Sequence, residues 1–161
     1  MLYRLRMSKT LVLGVGNLLL KDEGVGVHVA QRMMKMDLPE NVEVVDGGTA
    51  TLDILPLIDG VERLIIVDAL KAGEAPGTIY KLTPEDIVQD KQEPLSLHQV
   101  DLLQTLDMCS LIGSKPSTLI IGIEPKEINF AVGLSSEVEG TLPRVIELVL
   151  EEITLFCGDG S

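Results

Sequence analysis

Apolar residues along this chain follow two rhythms, and the alternation between them lays out its elements. Nearly unbroken aliphatic runs occur at residues 11–13, 42–45, 64–67 and 118–123. Runs of this kind predict short strands, and unbroken ones suit strands covered on both faces, as in a parallel sheet. Between them the spacing changes to three and four. Val25, Val29, Met33 and Met36 recur on one helical stripe, with His28, Gln31, Arg32 and Lys35 on a polar one. Leu52, Leu55 and Ile58 form a shorter stripe, and Leu102, Leu103, Leu106 and Leu111 a longer one. Leu142, Val145, Ile146, Val149, Leu150 and Ile153 make up the last.

Helix and strand breakers set the ends. Pro39 closes the first helix; Gly60 closes the second, over residues 51–59, in which Pro56 is expected to introduce a kink. The turn-rich stretch 71–77 is too short for a crossover helix, so residues 78–82 are expected to pair antiparallel at a sheet edge. Thr83-Pro84 reads as a cap followed by a first helical residue. The polar stretch 90–98, containing Pro94, reads as a flexible loop, and Gly113 ends the helix over 100–112. Ser136-x-x-Glu139 spells a capping box for the last helix, with Pro143 delaying its start or kinking it. Strands alternating with helices predict an α/β fold with a mostly parallel sheet. One domain is expected over residues 1–161, with a loose leader at 1–8 and a tail fraying over 154–161.

Composition narrows the choice of function. The 161 residues are 45% hydrophobic but 2% aromatic, with no Trp, so aliphatic side chains and Met must fill the interior. A formal charge of −12 disfavours a nucleic-acid partner, because phosphate binding depends on clustered Lys and Arg. Two cysteines, Cys109 and Cys157, make neither a disulfide framework nor a metal-ligand spacing, which points to a reducing cytoplasm. No stretch resembles a secretory signal or approaches the ~18 apolar residues of a membrane span, so no membrane insertion is expected.

The chemistry is expected just past the first strand, in Gly14-Val-Gly-Asn17 followed by Asp22-Glu23-Gly-Val-Gly26. In an open α/β sheet, residues that leave the carboxyl ends of strands line the ligand-binding edge. Glycines after a first strand suggest a phosphate cradle, with Asp46 as the ribose-binding acid. The dinucleotide fingerprint needs a glycine at position 19, however, where Leu19 stands, and no GxxxxGK[ST] loop occurs. Glu23 at a helix start would also repel phosphate, so no nucleotide is expected. A metal site is the other candidate. Glu23 after strand one, Asp68 at the end of strand three and His98 on a loop can converge on one edge. Two carboxylates and an imidazole suit zinc, nickel, manganese or iron without choosing among them. Each residue also has a purely structural role available: Glu23 as a first-turn acid, Asp68 as a cap, His98 as a loop residue. His28 is expected to be solvated and Cys109 to fill the core; Asp22 receives no catalytic role, and Ser96 forms no relay with His98.

Taken in order, Gly14-Val-Gly-Asn17, Asp22-Glu23-Gly-Val-Gly26, Asp46-Gly-Gly-Thr49, Val67-Asp68-Ala69, His98-Gln99 and Gly122-Ile-Glu-Pro125 resemble the nickel-iron hydrogenase maturation endopeptidases. The resemblance spans residues 10–153. It implies a single-domain three-layer sandwich, a twisted five-stranded sheet with helices on both faces. It implies an endopeptidase that removes a short C-terminal peptide from the hydrogenase large-subunit precursor once nickel is inserted. The family's metal-contacting acids fall on Glu23 and Asp68 and its histidine on His98, with catalysis expected from the same three. Asp46, Gly47, Gly48 and Thr49 would help position the substrate tail. Nickel is expected to arrive with the precursor and to complete an unfinished coordination shell. The alternative is a non-proteolytic nickel-binding chaperone of hydrogenase assembly that uses the same residues.

Overall fold

The computed structural model describes residues 8–49, 55–89 and 97–158. Five strands, β1 (Lys9–Val15), β2 (Val42–Gly48), β3 (Val61–Ala69), β4 (Ile79–Leu82) and β5 (Ser117–Ile123), form one sheet in the order β2-β1-β3-β5-β4. β1 pairs in parallel with β2 and β3, and β3 with β5, while β4 runs antiparallel to β5 at the edge, as its short connection requires. The helices are α1 (Val25–Met33), α2 (Leu55–Ile58), α3 (Pro84–Gln89), α4 (Leu97–Leu111), α5 (Ser136–Glu139) and α6 (Leu142–Gly158).

Alternation along the strands divides the interior in two. Leu11, Leu13, Leu64 and Ile66 point to one face and pack with Ile58, Leu102 and Cys109 from α2 and α4. Val12, Ile65 and Val67 point to the other, against Val25, Val29 and Met33 of α1 and Val145, Val149 and Ile153 of α6. The result is three layers, with each fully buried aliphatic worth about 1.5–3 kcal/mol. α1 lies very close to the sheet. A Cβ on Gly26 would sit 2.1 Å from the Val67 carbonyl oxygen and 2.4 Å from that of Val15.

Several boundaries differ from those predicted. α1 ends at Met33, well before Pro39, and Met36 is exposed beyond it. His28 is half-buried rather than solvated, because α1 packs against both the sheet and α6. Burial lowers the His28 pKa, with the Glu139 charge opposing and Arg32 reinforcing the shift. α4 begins at Leu97, so His98 lies in its first turn, outside any loop. Leu111 is 86% exposed. Nine residues of helix turn it about half a revolution away from buried Leu102. The expected box does not start the last helix: Ser136–Glu139 is the separate short α5, capped by Ser135, whose hydroxyl accepts from Val138 N, and α6 begins at Leu142. Pro143 occupies the first turn of α6, where no intrahelical N–H is needed. α6 continues through Gly158, past the expected fraying at 154, with Ile153 buried and the Phe156 ring 5.4 Å from the Arg63 guanidinium carbon. Residues 1–7, 50–54, 90–96 and 159–161 lie outside the described residues. They include most of the expected leader and loop and part of the second helix and the tail.

Candidate functional site

The carboxyl ends of β1, β3 and β5 share one edge because the three strands are parallel. From β1 the chain crosses first to β2 on one side and then to β3 on the other, so the strand order reverses between β1 and β3. That reversal opens a crevice at the edge. Two acids are delivered there. After β1, Gly16 takes a φ of +143°, and a Cβ on it would meet the Glu23 carbonyl oxygen at 2.1 Å. The glycine turn is therefore closed over by its own chain. It leads into a 3-10 turn, Lys21–Gly24, that carries Glu23, while Asp68 emerges from the end of β3.

Asp68 is buried, and its Oδ1 accepts a 2.8 Å hydrogen bond from the neighbouring Ala69 N. Burial drives its pKa well above the usual carboxylate value; the Ala69 bond opposes this and the Glu23 charge adds to it. The Glu23 charge thus reaches Asp68. A narrow, largely apolar cleft runs from Asp68 past Ile87, Gly122 and Leu102 to Gln99. Gln99 follows His98, so the first turn of α4 is brought to Asp68, although the His98 side chain lies outside the described residues. Among the described residues, no three His, Cys, Asp or Glu side chains form a metal-holding group. Glu23 and Asp68 supply two oxygen-bearing arms.

Beside this pair sits a carboxylate of opposite character. Asp22 is fully buried and accepts from Lys126 N at 2.9 Å, Glu127 N at 3.0 Å, Ser135 N at 2.7 Å and Ser135 Oγ at 2.7 Å. Burial alone would raise its pKa, but these bonds outweigh it and hold the group below the usual value. Asp22 ties the segment after β5 to the turn that carries Glu23. On the other side, buried Glu124 accepts from Ala72 N at 2.8 Å, Gly73 N at 3.2 Å and Tyr80 OH at 2.7 Å, which fixes the connection after Asp68. The Asp46-Gly-Gly-Thr49 stretch leaves the same edge: Gly14 pairs with Asp46 and Val15 with Gly48, so Gly47 forms a bulge. The Asp46 carboxylate accepts from Gly48 N at 3.0 Å and Gln31 Nε2 at 3.2 Å.

The family model described as hydrogenase maturation protease matches residues 27–152. The chain belongs to the hydrogenase maturation proteases. It is 35% identical over 145 residues to the hydrogenase 2 maturation protease of Escherichia coli, covering 88% of each chain. It is 33% identical over 154 residues to a putative hydrogenase maturation protease of Methanocaldococcus jannaschii, covering 92% of this chain and 99% of that one. The solved structure of the hydrogenase-maturating endopeptidase HybD from E. coli superposes with a TM-score of 0.82 at 33% identity, over 91% of this chain and 92% of that one. A hydrogenase 2 maturation peptidase from a Thaumarchaeota archaeon superposes at 0.71 with 32% identity, over 92% and 99%.

The chain is accordingly a peptide-bond hydrolase of this family, with the five-stranded α/β fold of its relatives. For this protease the sequence singled out Glu23 and Asp68, which the fold delivers to one crevice, and His98, whose backbone it brings alongside. It passed over Asp22 and Glu124. Three of the four donors to Asp22 lie 105 or more residues away and the fourth 104 away, so no local spacing marks it. The Gly122-Ile-Glu-Pro125 motif did contain Glu124, but its donors come from residues 72–80.

Proposed function

We propose that this protease removes a short C-terminal peptide from the nickel-iron hydrogenase large-subunit precursor after nickel insertion. In this reading Glu23, Asp68 and His98 recognise the precursor's own nickel. The observation that carries it is the delivery of Glu23 and buried Asp68 to one edge at the strand reversal, where the Glu23 charge adds to the cost that burial puts on ionising Asp68. A cation brought by the substrate relieves that cost, so an occupied precursor binds better than an empty one. Metal recognition then times the cut. The reaction adds water across the scissile amide: the water oxygen bonds to the carbonyl carbon, the C–N bond breaks, and a proton passes to the leaving nitrogen. Asp68 and Glu23 are the groups at the edge able to accept and return that proton, and the apolar cleft beside Asp68 limits competing water. The Asp46–Thr49 stretch, at the same edge, guides the substrate tail. The cytoplasm is the proposed compartment, in keeping with two cysteines that make no disulfide framework; among the described residues no helix is long and apolar enough to cross a membrane.

The test is precursor mass before and after incubation, with nickel-loaded and nickel-free precursor, using the wild type, Glu23→Gln, Asp68→Asn and His98→Ala. Loss of the C-terminal peptide from the loaded precursor alone, abolished in the variants, is the expected result. Equal cleavage of both precursors would sink metal recognition, and unchanged cleavage by all three variants would sink the site. An unchanged precursor mass with tight nickel binding by the isolated protein would favour the chaperone alternative.

A further inference from the structure

Glu23 is not the sole feature carried by the turn after β1. Residue 20 forms a parallel bridge with Ala131: Ala131 N donates to Leu19 O at 3.1 Å, and Lys21 N donates to Ala131 O at 3.0 Å. These bonds set the Leu19 backbone against Ala131, which Phe130 and Val132 flank in the chain. The large apolar side chains around this bridge are open to solvent. Phe130 is 90% exposed, Val132 83% and Leu19 59%, with Ile128 also exposed.

Such a group of large apolar side chains is costly to leave in water, and the loop that holds them is firmly tied. Asp22 binds the backbone at Lys126 and Glu127 on one side of the segment and at Ser135 on the other. Lys21 adds an ion pair to Glu127 at 2.5 Å. The segment follows β5, and Leu19 follows β1, so both emerge on the edge that carries Glu23 and Asp68. Rigid, apolar and continuous with the cleavage edge, the patch has the character of a binding surface.

We propose that Leu19, Ile128, Phe130 and Val132 form the docking surface for the folded body of the polypeptide substrate, a proposal that rests on the peptidase reading above. A peptidase that cuts near the end of a folded protein must bind a tail in its crevice and a surface beside it. Asp22 serves both, since it fixes the patch and the Glu23 turn to each other. The occupant is an apolar surface of the precursor close to where its C-terminal tail departs.

α4 provides an internal control. Leu111 and Ile112 are 86% and 74% exposed, as open as the patch. They sit at the end of α4 that precedes β5, on the opposite edge of the sheet.

The experiment measures binding of the full chain to immobilised nickel-loaded hydrogenase large-subunit precursor, with precursor mass read on the same samples. It compares the wild type, Phe130→Ser/Val132→Ser and Leu111→Ser/Ile112→Ser. We expect the patch variant to weaken binding at least tenfold with an unchanged thermal midpoint, and the control to stay within twofold. Unchanged binding by the patch variant overturns the proposal. So does a patch variant that merely turns a dimer into a monomer, which would make a second copy of this chain the occupant. A wild type that binds through the patch yet leaves precursor mass unchanged supports the docking surface and overturns the peptidase reading instead.

Discussion

Asp22 and Asp68 are both buried acids at the carboxyl edge of the sheet, and their surroundings move them in opposite directions. Among the described residues, Asp22 accepts three backbone N–H bonds and one hydroxyl, and its pKa is lowered; Asp68 accepts one from its own neighbour, the Glu23 charge adds to its burial, and its pKa is raised. Burial opposes ionisation in both, so the number of donors decides the outcome. The difference separates two tasks. A saturated carboxylate holds chain segments together, whereas an undersaturated one keeps capacity for a ligand or a proton.

The sharpest test of this contrast is Asp68→Asn. Precursor cleavage should fall by about 10²–10⁴, as for loss of an acid–base group, while the metal-free protein becomes more stable at any pH high enough to ionise the buried Asp68 carboxyl, since a neutral amide removes a poorly solvated charge. Mass spectrometry of the precursor and thermal unfolding read the two effects. A lower melting temperature would break the comparison.

Asp22→Ala should act the other way, destabilising the fold by about 3–5 kcal/mol, because four donors lose a buried charged partner. Urea unfolding measures it. Well below the melting temperature, cleavage should fall less than in Asp68→Asn. If activity vanishes while stability holds, Asp22 belongs to the chemistry.

The pH dependence follows from the signs. Asp22, lowered in the folded state, contributes stability above its ordinary value of 3.8 that is lost as pH falls through its folded value. Asp68, raised in the folded state, contributes stability below 3.8 that is lost as pH rises through its higher folded value. Acidification should therefore shrink both the deficit of an Asp22→Asn variant and the advantage of Asp68→Asn. Chemical denaturation at a series of pH values checks this, and an Asp68→Asn advantage that grows on acidification would contradict it. A smaller loss than that of Asp22→Ala is expected from Ser135→Ala, about 1–2 kcal/mol, since one of four bonds to Asp22 and the α5 cap are lost.

Much of the architecture was legible because it depends on local periodicity. The apolar runs at 11–13 and 64–67 marked buried strands, and the brevity of 71–77 forced β4 to the edge. The misreadings came where a neighbour outside the local pattern intervened. Leu111 was counted with a stripe whose buried face it had already rotated past, and the box read for the last helix is the separate α5, capped by Ser135, which also reaches Asp22. The glycines that resembled a phosphate cradle are needed for packing: Gly26 lets α1 approach β1 and β3, and Gly16 lets the chain pass under Glu23.

By itself, the sequence determined the alternation of strands and helices and the delivery of Glu23 and Asp68 to the ends of two strands, because hydrophobic period and strand polarity are short-range properties. The tertiary structure decided which acids would be saturated. Asp22 and Glu23 are adjacent, yet the donors that silence Asp22 come from 104 to 113 residues away, and the charge that burdens Asp68 comes from a turn 45 residues earlier, at Glu23. Hydrogen-bond supply and electrostatic neighbourhood are set by what folding brings together.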